Sequence, residues 1–154
     1  MRNLIRGLVL FTAAGIAAIP AISIAADDPV AARKAVMQSV GAAAGLGGGM
    51  MKGEIGYTPA AGKAAIATLN AAAHTYGDLF PEGSDLAADT TAAPAIWDNR
   101  AGFNDELAKF ASAAAAAMTA AGKEGPADLD AFKAAIGPVF ASCKSCHEGF
   151  RVKN

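Results

Sequence analysis

Apolar positions recur along this chain at steps of three and four, the spacing that lines one face of an α-helix. The pattern begins after Asp28-Pro29, a pair suited to the N-cap and first turn of a helix. It predicts a first helix over about residues 29–52, with Val30, Met37, Val40 and Ala44 on the apolar face. The second half of that segment holds Gly45, Gly47, Gly48 and Gly49. Each glycine costs about 1 kcal/mol relative to alanine inside a helix, so this half needs tertiary support or marks a break. A second helix starts at Thr58-Pro59 and carries Ile66, Leu69, Ala73 and Tyr76 on one face. The polar stretch from Gly77 to about Pro94 is longer than most helix–helix connections and is expected to cross one end of the assembly. A third helix presents Phe103, Leu107, Phe110, Ala114, Ala117, Met118 and Ala121, and ends at Gly122 and Gly125-Pro126. A fourth starts near Ala127 and presents Phe132, Ile136, Val139, Phe140, Cys143, Cys146, His147 and Phe150. Pro138 lies inside it and should kink it. No segment alternates with period two. Four amphipathic helices predict an all-α protein, an antiparallel four-helix bundle.

Composition refines this picture. The chain is 53% hydrophobic, 6% aromatic and 18% charged, and alanine is the largest part of the apolar fraction. Alanine favours helices but buries little area, so the bundle core is thin and would gain from a bulky group in its middle. Few charges and abundant apolar residues argue against disorder. Gly 17, Pro 7 and Cys 2 exclude collagen-like and disulfide-rich classes. A net charge of −1 lacks the basic excess of a nucleic-acid binder.

The N-terminus has a separate logic. Arg2 and Arg6 precede an uncharged apolar run from Gly7 to Ala26. Ser23-Ile24-Ala25 offers a small-x-small cleavage site, with Ala26 as the close alternative. This is the form of a secretory signal peptide over residues 1–26, leaving one domain over 27–154. An uncleaved anchor is the competing reading, because the run is nearly long enough to span a bilayer. Pro20 and the small residues before Asp27 favour cleavage. Without Arg2 and Arg6, eleven basic residues face fourteen acidic ones, and the mature charge becomes about −3. Export implies an oxidising or periplasm-like compartment.

The only two cysteines fall in Cys143-Lys144-Ser145-Cys146-His147, the C-x-x-C-H spacing of c-type haem attachment. Two thiols must reach two vinyl groups on one porphyrin edge, and an imidazole must rise from the same region to the iron. On a helix at 100° per residue, Cys146 falls about 60° to one side of Cys143 and His147 about 40° to the other. That arc coincides with the apolar stripe of Phe132, Ile136 and Phe150, whereas Pro138 faces away. A disulfide between these cysteines is poorly placed on a helix and leaves His147 unexplained. A zinc site lacks ligands, since only the distant His74 could join. A thioredoxin-like pair expects a βαβ context that is missing. A metal-binding or redox-active C-x-x-C-H in a non-haem exported protein stays as the minor alternative. No P-loop pattern, nucleophile–base pair or paired carboxylates support an enzyme.

With these residues in view, the chain resembles the class II cytochromes c, the family of cytochrome c′ and its low-spin relatives. The closing run Cys143 to Arg151 is similar to the family's C-terminal motif. Lys52-Gly53-Glu54, Phe80-Pro81-Glu82-Gly83-Ser84 and Pro94-Ala95-Ile96-Trp97 are similar to further family landmarks. The resemblance implies one covalently attached haem c, with thioethers at Cys143 and Cys146 and His147 as axial iron ligand. It implies Arg33 near a haem propionate and Arg151 as the basic residue one turn past the histidine. It places Met37 on the distal side of the iron. If Met37 ligates, the iron is six-coordinate and the protein carries single electrons to and from redox partner proteins. If Met37 only packs there, a five-coordinate iron is open to small gases such as NO or CO. A helix methionine at an apolar position can also be plain core. His74 is the other candidate sixth ligand and reads as a surface residue. Trp97 and Tyr76 read as packing residues. Bundles of this family often form homodimers through their first two helices, which the small-residue faces here would permit.

Overall fold

The computed structural model describes residues 28–85 and 89–152. The signal-peptide expectation falls on residues 1–26, outside the described residues. Helix α1 spans Pro29–Lys52, α2 Pro59–Thr75, α3 Ala95–Asp98, α4 Arg100–Ala121 and α5 Leu129–Phe150. A 3₁₀ turn, Tyr76–Leu79, continues α2.

The N-termini are capped as the sequence suggests. Asp28 Oδ1 accepts from Ala31 N–H at 2.8 Å, with Pro29 in the first turn. Thr58 Oγ1 accepts from Ala61 N–H at 3.2 Å ahead of α2. Asn99 and Asp128 do the same for α4 and α5. Each cap satisfies a backbone donor that the helix itself leaves free. Helix α5 therefore begins at Leu129, slightly later than expected, because Asp128 is the capping side chain. Gly53 ends α1 in a left-handed conformation, φ 77°, and its N–H bonds to Met50 O at 3.2 Å. The short α3 breaks the long connection and was not visible in the periodicity.

Helix α1 is continuous through its glycines. A Cβ at Gly47 would stand 3.1 Å from both Ile136 and Phe140, and at Gly49 2.7 Å from Ile55. The missing side chains let large residues press against the α1 backbone, and that packing is the tertiary support which the low propensity demands. Helix α5 also runs through Pro138, which is exposed on its outer side.

Helix α1 packs against α2 and α5, and α4 packs against α2 and α5, giving the four-helix bundle. No strand forms among the described residues; one isolated antiparallel bridge joins Ala92 to Arg151. The core falls into two parts. One gathers Met50, Ile66, Leu69, Phe132, Ile136 and Val139 with small alanines. The other gathers Phe80, Ile96 and Phe103, flanked by Tyr76, Trp97 and Phe150. Phe103 meets Phe80 and Phe150 edge-on, at ring distances of 4.9 and 5.4 Å. No helix among the described residues is long and apolar enough to cross a membrane.

Candidate functional site

A cavity of about 400 Å³ touches both parts of the core. Phe80, Ile96 and Phe103 border it from one, Val40 and Phe110 from the margin of the other. All six residues singled out in the sequence line it: Arg33 and Met37 from α1, Cys143, Cys146 and His147 from α5, and Arg151 just beyond. His74 is exposed on α2 and takes no part in the lining.

Both cysteines are free and half-buried. Burial pushes the Cys143 thiol up, and its sulfur lies 3.5 Å from Val139 O as a weak donor. Burial, then the Glu106 charge, then Cys143 push the Cys146 thiol up to about 11. A reactive redox pair needs a lowered pKa, so these thiols are set against the thioredoxin-like alternative. Among the described residues, no three His, Cys, Asp or Glu side chains gather as a metal site. His147 stands at the exposed rim. Desolvation, followed by the nearby Arg151 charge, lowers its pKa below the ordinary imidazole value. It is therefore neutral at physiological pH, the form that can bind a metal.

Arg33 occupies the apolar stripe of α1 between Val30 and Met37, and is 4% exposed. Its guanidinium donates to Leu79 O at 3.0 Å, Ser84 Oγ at 2.8 Å, Ser84 O at 2.9 Å and Thr90 Oγ1 at 3.2 Å. It also lies 4.8 Å from the Phe80 ring centre. No carboxylate pairs with it among the described residues, so these neutral acceptors carry the desolvation of its charge. Arg33 thus ties the long connection to α1 while still reaching the cavity wall. Arg100 Nη2 and Trp97 Nε1 hold the same connection, donating to Phe80 O at 2.6 Å and Pro81 O at 3.1 Å. Trp97 is therefore an anchor as well as a packing residue.

Arg151 joins the site through its backbone neighbours. Ala93 N–H donates to Phe150 O at 3.0 Å, and Val152 N–H to Thr91 O at 2.9 Å. The segment after the C-x-x-C-H motif is thereby clasped to the far end of the connection.

Tyr76 and Glu106 also line the cavity and escaped the sequence reading as site residues. Glu106 falls on the α4 stripe between Phe103 and Phe110, and an acid on an apolar face was the available signal. Tyr76 sits on the apolar stripe like any packing residue, and only the fold brings it beside the cavity. Burial pushes its phenol up to about 12, with Arg33 pulling back and Cys146 adding a smaller push. The unfolded chain ionises this group near pH 10. Its contribution to stability is therefore complete below pH 10 and is lost as pH rises through about 12, by roughly 2–3 kcal/mol. Denaturant midpoints measured across pH 9–12 should show this decline, and Tyr76→Phe should flatten it.

A largely apolar space, two unpaired thiols on one helix face and a neutral imidazole at the rim together fit a flat, covalently held macrocycle with a metal at its centre. Comparison with known proteins points the same way. A family model described as Cytochrome C' matches residues 28–151. Cytochrome c' of Rhodopseudomonas palustris is 37% identical over 131 residues, covering 85% of this chain and 86% of that protein. Cytochrome c-556 of Agrobacterium tumefaciens is 33% identical over 121 residues, covering 79% and 94%. The solved structure of cytochrome c' from Rhodopseudomonas palustris matches with a TM-score of 0.74 at 37% identity, over 82% of this chain and 98% of that one. An NMR-validated structural model of oxidised cytochrome c556 from the same species matches with a TM-score of 0.70 at 32% identity, over 82% and 98%. The expected fold, cofactor and lineage agree with these matches: this chain belongs to the cytochrome c′ family, the class II cytochromes c, and carries covalently bound haem c.

Proposed function

We propose that this protein carries single electrons, its haem held by thioether bonds to Cys143 and Cys146 and its iron bound by His147 and Met37. The observation that carries this reading is that Met37 on α1 and His147 on α5 line the same cavity as both thiols. When bound, the haem supplies a one-electron iron couple. The chain's residues do the rest. The two thiols fix the macrocycle edge to α5. His147, kept neutral by burial, offers a nitrogen to the metal. Met37 offers a soft thioether, which favours low-spin iron and a higher potential. The apolar wall of Val40, Phe103 and Phe110 excludes water, which limits solvent rearrangement as charge changes. Arg33 and Arg151 bring positive charge to the same cavity and suit the propionates.

The same reading places the mature chain in the periplasm, after cleavage near Ala25 or Ala26, among redox partner proteins. What supports it is the Arg2–Arg6 and apolar pattern of the N-terminus. A homodimer through α1 and α2 is supported by the groove of small residues between them, including Ala42, Ala43, Ala64 and Ala65.

The optical spectrum tests the coordination. Wild-type protein is expected to be low-spin and to take up carbon monoxide slowly. Met37→Ala should become high-spin, bind carbon monoxide readily and show a lower midpoint potential. A wild type that is already high-spin and binds carbon monoxide at once would replace this reading with a five-coordinate, gas-binding one.

A further inference from the structure

Glu106 and Lys109 form a second layer over the attachment motif. Glu106 projects from α4 with its side chain only 14% exposed, while Lys109, one turn later, is 64% exposed. Lys109 Nζ lies 2.6 Å from Glu106 Oε1. On the other side, Ser145 Oγ donates to Glu106 Oε2 at 2.5 Å. Ser145 is a spacer residue between the two cysteines, and its hydroxyl also lies 3.2 Å from Ser142 O. The carboxylate is thus pinned from both sides by short, charge-assisted contacts. It lines the cavity beside Cys146. Its partner Ser145 immediately precedes Cys146, so the charge stands beside the attachment point.

The two charges do not cancel there. The acid side chain is the more covered of the two and lines the cavity, whereas the cation stands in solvent, where screening is strong. We propose that Glu106 and Lys109 are positioning residues that set the haem reduction potential, the carboxylate lowering it and the ammonium partly offsetting that effect. The inference rests on the proposed attachment of haem at Cys143 and Cys146. Its physics is direct. Reduction adds one electron to the cofactor, and a fixed negative charge nearby disfavours the added charge. Ser145 determines where that negative charge stands.

Two variants separate this field effect from a structural one. Glu106→Gln keeps an acceptor for Ser145 but removes the charge. At a fixed electrode potential its reduced-to-oxidised ratio should rise about tenfold, which is about 59 mV for a one-electron couple. Lys109→Met removes the exposed cation and should move the ratio the opposite way, by about two- to threefold given the stronger screening. Spectroelectrochemical titration of the purified holoproteins reads both. Opposite shifts uphold the proposal. Shifts in the same direction, or ratios for both variants within about 1.5-fold of wild type, overturn it. A haem stain of the denatured wild type keeps the two readings apart. No covalent haem removes the attachment reading, whereas covalent haem with unmoved potentials removes only this one.

Discussion

Cys143→Ser/Cys146→Ser protein is expected to release all of its haem on denaturation and to lose much of its folded stability. The thiols are the only two in the chain, both face the cavity and neither is engaged in a disulfide. Without them no covalent link to the macrocycle can form. The consequence for stability follows from the size of the space. A cavity of about 400 Å³, at about 24 cal/mol per Å³, corresponds to about 10 kcal/mol if it stays empty. Its open rim admits water, so this figure is an upper bound. Even half of it is comparable to the whole stability of an ordinary domain. The double variant should therefore show no haem-staining band on a denaturing gel. Its thermal transition by far-UV circular dichroism should be broad and much lower than that of the holoprotein. A retained haem-staining band would remove Cys143 and Cys146 as the attachment points.

Phe132→Ala is the second large effect, and its cause is separate. Phe132 is fully buried in the core part remote from the second aromatic cluster. Its ring meets Tyr57 at 5.5 Å, and it closes on two glycines, Gly47 of α1 and Gly62 of α2, where an added Cβ would stand 3.4 and 3.1 Å away. One side chain therefore joins α5 to α1 and to α2 across the bundle, at positions lacking side chains of their own. Truncation leaves a hole that glycine backbones cannot fill, so the cost should be about 3–5 kcal/mol. Phe132 does not line the cavity, so the haem spectrum should be unchanged at low denaturant. Urea unfolding of the holoprotein measures the loss. A change below about 1 kcal/mol would show that α1 and α2 close over the gap.

The sequence made some of this legible and hid the rest for physical reasons. The capping pairs Asp28-Pro29 and Thr58-Pro59 located two helix starts because capping is a local matter. The C-x-x-C-H motif was legible because its chemistry fixes a spacing. Met37, Arg33 and Arg151 came from family resemblance, and the fold brings them to the same cavity. The glycine run of α1 was ambiguous, since propensity cannot show that Ile136 and Phe140 press on Gly47. The partners of Arg33 were out of reach because Ser84 and Thr90 lie in an irregular connection with no periodicity to place them. Charged residues on apolar stripes were the neglected signal. Both Arg33 and Glu106 interrupt such a stripe, and both prove to be held by specific hydrogen bonds.

The clasp between the Ala92 and Arg151 segments bears on the order in which the molecule can be completed. A chain emerges from its N-terminus, and contacts between distant segments wait for the later one. Here the two cysteines and the tail that pairs with residues 91–93 belong to the last helix and its exit. Three long helices are available before the cofactor's seat exists. The tail can bond across only when α5 has docked, so closure of that edge falls at the end of assembly. A truncation just after His147 would retain Cys143, Cys146 and His147 yet leave the pocket without its final fastening.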